Sequence, residues 1–115
     1  MVNDIQRIQE DHKKFTKERG WDRFQTPKNL SMALSVEAAE LVEIFMWLTE
    51  AQSISLNEQK LNAAAEEIAD IFMYLLRIAD TLGIDLIKAT DQKMKKNHEK
   101  YSVERGIALA QALID

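Results

Sequence analysis

Two pairs of carboxylates are the residues in this chain best placed to do chemistry. Glu37-Ala38-Ala39-Glu40 and Glu67-Ile68-Ala69-Asp70 each separate two acids by three residues. On a helix this spacing puts both carboxylates on one face of one turn, where like charges repel and weaken the helix. Their neighbours are apolar: Val36, Leu41 and Val42 around the first pair, Ile68, Ile71 and Phe72 around the second. A single helical Glu is ordinarily a solvated surface residue. Two matched pairs in the most apolar part of the chain reverse that reading. Four carboxylates clustered in a partly buried site cannot all stay ionised without a cation or a proton. An all-oxygen donor set suits Mg²⁺, with Mn²⁺ as a substitute, rather than zinc or copper.

Other chemistries lack their residues. The chain has no cysteine, which removes disulfides, thiolate metal sites, iron–sulfur clusters and Cys nucleophiles. A di-iron site in a helical bundle needs Glu-x-x-His pairs. The two histidines, His12 and His98, follow Gln9 and Lys95 at that spacing, and both read as ordinary helix-surface or loosely packed residues. There is no glycine-rich phosphate loop and no Ser-His motif. Trp47 stands seven residues after Glu40, about 10 Å along a continuous helix. Alone it reads as core; beside a metal–phosphate site it offers a ring to stack on a base. Trp21 and Phe24 fall in a loop, where packing explains large aromatics less easily. Lys93, Asn97 and Tyr101 recur at four-residue steps on one helix face. Alone they read as a solvated basic helix end, where Lys is favourable anyway.

These residues need long helices to hold them. The 115 residues contain only three glycines and one proline, too few turn residues for many short strands. Asn3 and Gln6 form a capping box for a first helix over residues 3–18, with Gly20 after its end. Ile5, Ile8, His12 and Phe15 make one narrow core-facing stripe. Thr26-Pro27 opens a second helix, about Pro27 to Leu48. Its apolar residues nearly encircle it, so a partner subunit is expected to cover one side. Residues 49–56 read as a polar connection, with a capping box over Ser55–Glu58. A third helix runs from about Asn57 to Leu82 and stops at Gly83. Asp85 caps a fourth, about Leu86 to Lys100, and a short amphipathic tail follows Gly106. Helices two and three, joined by a short connection, should pack antiparallel and let the acidic pairs face each other. The expected fold is an all-α, four-helix bundle in one domain, residues 1–115.

Charge and hydropathy narrow the partners. Fifteen basic residues against nineteen acidic ones give a formal net charge of -4, no support for a nucleic-acid binder with a broad basic surface. Hydrophobic residues make up 46% and charged residues 30%, which argues against disorder. The polar N-terminus has no signal-peptide run. The most apolar stretch, Ile68 to Leu76, holds Asp70 and is too short for a bilayer. A soluble, cytoplasmic protein with no membrane partner is expected.

The acidic motif Glu37-x-x-Glu40 … Glu67-x-x-Asp70 resembles that of the MazG-like all-α nucleoside triphosphate pyrophosphohydrolases. Three further blocks resemble the small dCTP pyrophosphatase branch: Trp21-Asp22-Arg23-Phe24-Gln25-Thr26-Pro27-Lys28-Asn29-Leu30, Phe45-Met46-Trp47, and Lys93 through Tyr101. Two positions depart from that branch. Gln25 stands where it usually has His, and Ser102 where a Pro usually follows the Tyr. The resemblance implies cleavage of a nucleoside triphosphate to a monophosphate and pyrophosphate, clearing unwanted or excess dNTPs. It implies Mg²⁺ held by Glu37, Glu40, Glu67 and Asp70, neutralising phosphate and activating water. One of these carboxylates, or Glu43 or Glu66, would be the base. Lys93 and Asn97 would hold phosphate and sugar. Trp21, Phe24 and Trp47 would line the base pocket with Tyr101 nearby, and Gln25 and Asn29 belong to the same block. It further implies a homo-oligomer, dimer or tetramer, with MazG-like bundles completed by partner-subunit helices. Competing readings are a non-enzymatic helical interaction module, and a hydrolase of the same superfamily acting on dUTP or a phosphoribosyl nucleotide.

Overall fold

The computed structural model describes residues 1–115 and is entirely helical, with no strand. Helix α1 spans Asp4–Glu18, α2 Pro27–Phe45, α3 Glu50–Ser53, α4 Glu58–Thr81, α5 Leu86–Lys100 and α6 Val103–Ile114; a single 3₁₀ turn, Asp22–Phe24, lies between α1 and α2. The all-α expectation holds, and the four expected long helices are α1, α2, α4 and α5. No helix is long and apolar enough to cross a membrane.

The caps explain most of the boundaries. The Asn3–Gln6 capping box is formed in full. Thr26 accepts from the Asn29 N–H ahead of Pro27 at the first helical position. Gly20 and Gly83 end α1 and α4 with φ of +68° and +66°, left-handed values that residues with a Cβ adopt at a cost.

Four boundaries differ from expectation. Helix α2 stops at Phe45, so Trp47 lies in a turn beyond it. Residues 49–56 are not a plain connection: Thr49 and Gln52 form a capping box that nucleates α3. Helix α4 is capped by Asn57, whose side chain accepts from the Lys60 N–H, instead of by Ser55. The C-terminal segment is a helix from Val103, because Ser102 accepts from the Arg105 N–H; Gly106 lies inside it.

The chain divides into two compact units, Met1–Gly83 and Ile84–Asp115. In the first, α4 is the central element, packing most extensively on α2 and also on α1. Its core is small: Leu30, Ala64, Leu76 and Ala79 are buried, with Thr16 and Arg77. Alanines at two of these positions let helix backbones approach closely. The Gln9 side chain ties α1 to α4 by donating to the Leu76 carbonyl at 2.9 Å. Helix α2 is not buried on most sides in the single chain: Met32, Val36 and Val42 are each more than half exposed. In the second unit, Tyr101 caps the end of α5 and α6 follows at once. The Arg105 guanidinium donates to the Lys100 carbonyl at 3.1 Å and lies 5.8 Å from the Tyr101 ring centre.

Candidate metal centre and the adjoining cavity

Helix periodicity places Glu67, Asp70 and Tyr74 on one face of α4, and packing brings Glu37 of α2 against it. Glu37, Glu67 and Asp70 are half-buried, and each offers a carboxylate oxygen within 4.8 Å of the others. Glu40 is exposed but also hydrogen-bonds Glu67. Sharing a proton with Glu37 pushes the Glu67 carboxyl above the ordinary value of 4.5; burial adds to this, Glu40 opposes it, and the charges of Glu37 and Asp70 raise it further. One oxygen of Glu67 is buried without a hydrogen-bond partner. An all-oxygen cluster with an unsatisfied acceptor and mutually repelling charges has the donor set of a hard divalent cation.

Asp70 also belongs to the wall of a cavity of about 530 Å³ beside the cluster. Helix α1 supplies Asp11, His12, Phe15 and Thr16, the segment before α2 supplies Trp21 and Gln25, and α4 supplies Asp70, Met73 and Tyr74. Trp21 is fixed edge-on to Phe15, with ring centres 5.8 Å apart, and its backbone N–H donates to the Thr16 carbonyl at 2.8 Å. The Tyr74 phenol is pushed up by burial and then by the charges of Glu37 and Asp70, so it keeps its proton.

Of the residues singled out in the sequence, the fold therefore gathers Glu37, Glu40, Glu67 and Asp70, and Asp70 joins Trp21 and Gln25 at the cavity. Phe24 and Asn29 are not in the wall. The Asn29 amide donates to the Phe24 carbonyl at 3.2 Å and holds the turn that carries Gln25. Trp47 is 85% exposed. Lys93 and Asn97 lie on α5 with Tyr101 as its C-cap, in the second unit. Glu43 and Glu66 are exposed.

Sequence reasoning missed Asp11, His12 and Tyr74. Their signal was present: His12 shares the apolar stripe of Ile8 and Phe15, and Tyr74 stands four residues after Asp70. His12 is not a surface residue. Its ring meets Tyr74 edge-on at 6.2 Å, and its Nδ1 is buried without a partner. Burial, and then the charge of Arg77, hold it below the usual imidazole value of 6.5. A lowered folded-state value means that the unfolded chain takes up the proton first. The contribution of His12 to stability is thus present above pH 6.5 and lost as pH falls through the lowered value. Between pH 7.5 and 5, acidification should lower the melting temperature of the unmodified chain relative to that of His12→Gln. An identical slope in the variant would remove His12 from the cause.

The MazG-like family model matches residues 32–114, a range that holds both acidic pairs and the Lys93–Tyr101 segment. The dCTP pyrophosphatase 1 of Rattus norvegicus is 36% identical over 104 residues, which cover 89% of this chain and 59% of that protein. The dCTP pyrophosphatase 1 of Homo sapiens is 36% identical over 104 residues, covering 87% and 58%. The chain thus spans less than two thirds of the length of these curated relatives. The crystal structure of a pyrophosphatase from Archaeoglobus fulgidus DSM 4304 superposes with a TM-score of 0.82 at 36% identity, covering 89% of this chain and 95% of that one. The acidic pattern, the helical fold and these matches agree: the chain belongs to the MazG-like family.

Proposed function

We propose that the chain is a metal-dependent nucleoside triphosphate pyrophosphohydrolase that converts (d)NTPs to monophosphates and pyrophosphate. The observation that carries this is the double position of Asp70, in the carboxylate cluster and in the cavity wall. A substrate with its base in the cavity has its phosphates at the carboxylates. Similarity to proteins named dCTP pyrophosphatase 1 supports the same reading and a deoxynucleotide pool as the substrate source.

Glu37, Glu67 and Asp70 would hold Mg²⁺, with Mn²⁺ as a substitute, and Glu40 beside Glu67 completes the acidic set. The ion, when bound, neutralises phosphate charge and lowers the pKa of a water. The protein's own part is positioning. Trp21 would supply an aromatic wall for the base. Gln25 and His12 offer polar atoms to its edge. The Tyr74 phenol keeps a proton to donate. Lys93, Asn97 and Tyr101 are assigned to phosphate and sugar by resemblance of their segment to the dCTP pyrophosphatase branch. The uncovered apolar surface of α2 supports a homo-oligomer. The resemblance to the dCTP pyrophosphatase branch supports a house-cleaning role, a cysteine-free sequence is compatible with the cytoplasm, and the family match across residues 32–114 fits one domain.

The test is incubation of the purified chain with Mg²⁺ and each of the common dNTPs. Pyrophosphate and the monophosphate should appear in equal amounts and stop when the metal is chelated. No pyrophosphate from any nucleotide overturns the proposal.

A further inference from the structure

We propose that Arg77 is a positioning residue for metal binding: its buried charge, acting through His12, keeps a second cation out of the cavity wall that holds Asp70. This rests on the reading of Asp70 as a metal ligand. Arg77 itself belongs neither to the carboxylate cluster nor to the cavity wall.

Steps of four and three residues put Asp70, Tyr74 and Arg77 on one face of α4, each about a turn beyond the last. Helix α1 is held against this stretch on either side of His12. Gln9 donates to the Leu76 carbonyl at 2.9 Å, and Lys13 pairs with Asp80 at 3.8 Å. Between them the His12 ring meets Tyr74 edge-on at 6.2 Å. Arg77 is 5% exposed, with Nε and Nη1 out of water. It takes part in none of the ion pairs of the chain. Its charge is therefore met by no carboxylate and screened by little solvent, and it acts at close to its full strength on what packs beside it.

His12 has titratable neighbours on three elements. On α1, Asp11 and Lys13 flank it and are themselves paired, with Arg7 and Asp80. On α4, Asp70 and Tyr74 share its cavity wall, and Arg77 lies one turn past Tyr74. Glu37 of α2 acts on Tyr74. The segment before α2 brings Trp21 and Gln25, which do not titrate. Of these groups Arg77 is the one whose charge, after burial, holds the imidazole below 6.5. A neutral His12 leaves the wall without a cation, since no lysine or arginine lines it. A protonated His12 would set a positive charge in the wall that holds Asp70 and oppose a divalent ion there. An unpaired buried guanidinium is ordinarily a cost to the fold. Here it extends metal binding toward acid pH.

The test reads His12 directly. The chain has two histidines, His12 and His98, so His12→Gln assigns the imidazole resonances in a magnetic-resonance pH titration. In the metal-free chain, His12 should titrate at higher pH in Arg77→Met and Arg77→Gln than in the unmodified chain. Arg77→Lys, which keeps the charge, should restore the lower value. Calorimetric titration of Mg²⁺ at pH 8 and pH 5.5 gives the second readout. Acidification should weaken Mg²⁺ binding about threefold or more further in Arg77→Met than in the unmodified chain. That difference should vanish in the His12→Gln background. A His12 titration indifferent to both neutral variants, equal losses of Mg²⁺ affinity, or no Mg²⁺ binding by the unmodified chain overturns the proposal. A chain that binds Mg²⁺ with this pH dependence yet releases no pyrophosphate loses the pyrophosphohydrolase reading and keeps this one.

Discussion

Replacing Glu67 by glutamine is expected to abolish pyrophosphate release and, in the metal-free chain, to raise the melting temperature at neutral pH. The two effects have one cause. Glu67 lies at the centre of the cluster, sharing a proton with Glu37, touching Glu40 and facing the charge of Asp70. Its folded-state value is raised above 4.5, so the folded chain holds the proton more tightly than the unfolded one. The associated stability is present below that pH and lost as pH rises through the raised value. At neutral pH the metal-free cluster is therefore strained by its own charges. The amide removes one charge and a proposed metal ligand together. Metal assistance is worth several kcal/mol of transition-state stabilisation. At about 1.4 kcal/mol per tenfold, turnover should fall about a thousandfold. Melting curves with and without Mg²⁺ and rates at saturating nucleotide check both halves. Turnover within about tenfold of the unmodified chain would place the site elsewhere. A lower metal-free melting temperature would remove the strain.

Leu76→Ala should destabilise the chain by about 3–5 kcal/mol, a large part of the roughly 5–15 kcal/mol that holds a domain of this size. Leu76 has 0% relative exposure and is among the few side chains fully out of water. Its carbonyl is the acceptor that ties α1 to α4, so the backbone around it has little freedom to close a void. Its neighbour Arg77 is also buried, with two nitrogens unpartnered. Urea unfolding should show the loss as an earlier midpoint. The exposed Leu61, at 57%, is the control, and its alanine variant should stay within about 0.5 kcal/mol. A loss below about 1 kcal/mol for Leu76→Ala would mean that the core lies elsewhere.

The legible and the illegible parts of this protein separate by range. Asn3 with Gln6, Thr26 with Asn29 and Asp85 with Lys88 are contacts over three residues, and each was readable from the order of residue types. The misplaced cap at Ser55 shows the limit of such reading. Asn57 offers the same chemistry two residues on, and the helix takes the nearer one. The pairing of acids at three-residue spacing marked the carboxylate cluster for the same local reason. His12 escaped because its partners are remote in sequence: Tyr74 and Arg77 give its ring a setting that neither neighbour on α1 announces.

By itself the sequence determined an all-helical chain, the helix caps and two acidic turns, since these depend on period and on neighbours a few residues away. Tertiary structure alone decided that Glu67 is the carboxylate squeezed between Glu37 and Asp70. It also decided that a cavity opens between α1 and α4, with Asp11, Thr16 and Gln25 in its wall. The tie between Gln9 and Leu76 crosses 67 residues. No local propensity specifies such a pairing; it follows from which faces of three helices bury the most apolar surface together.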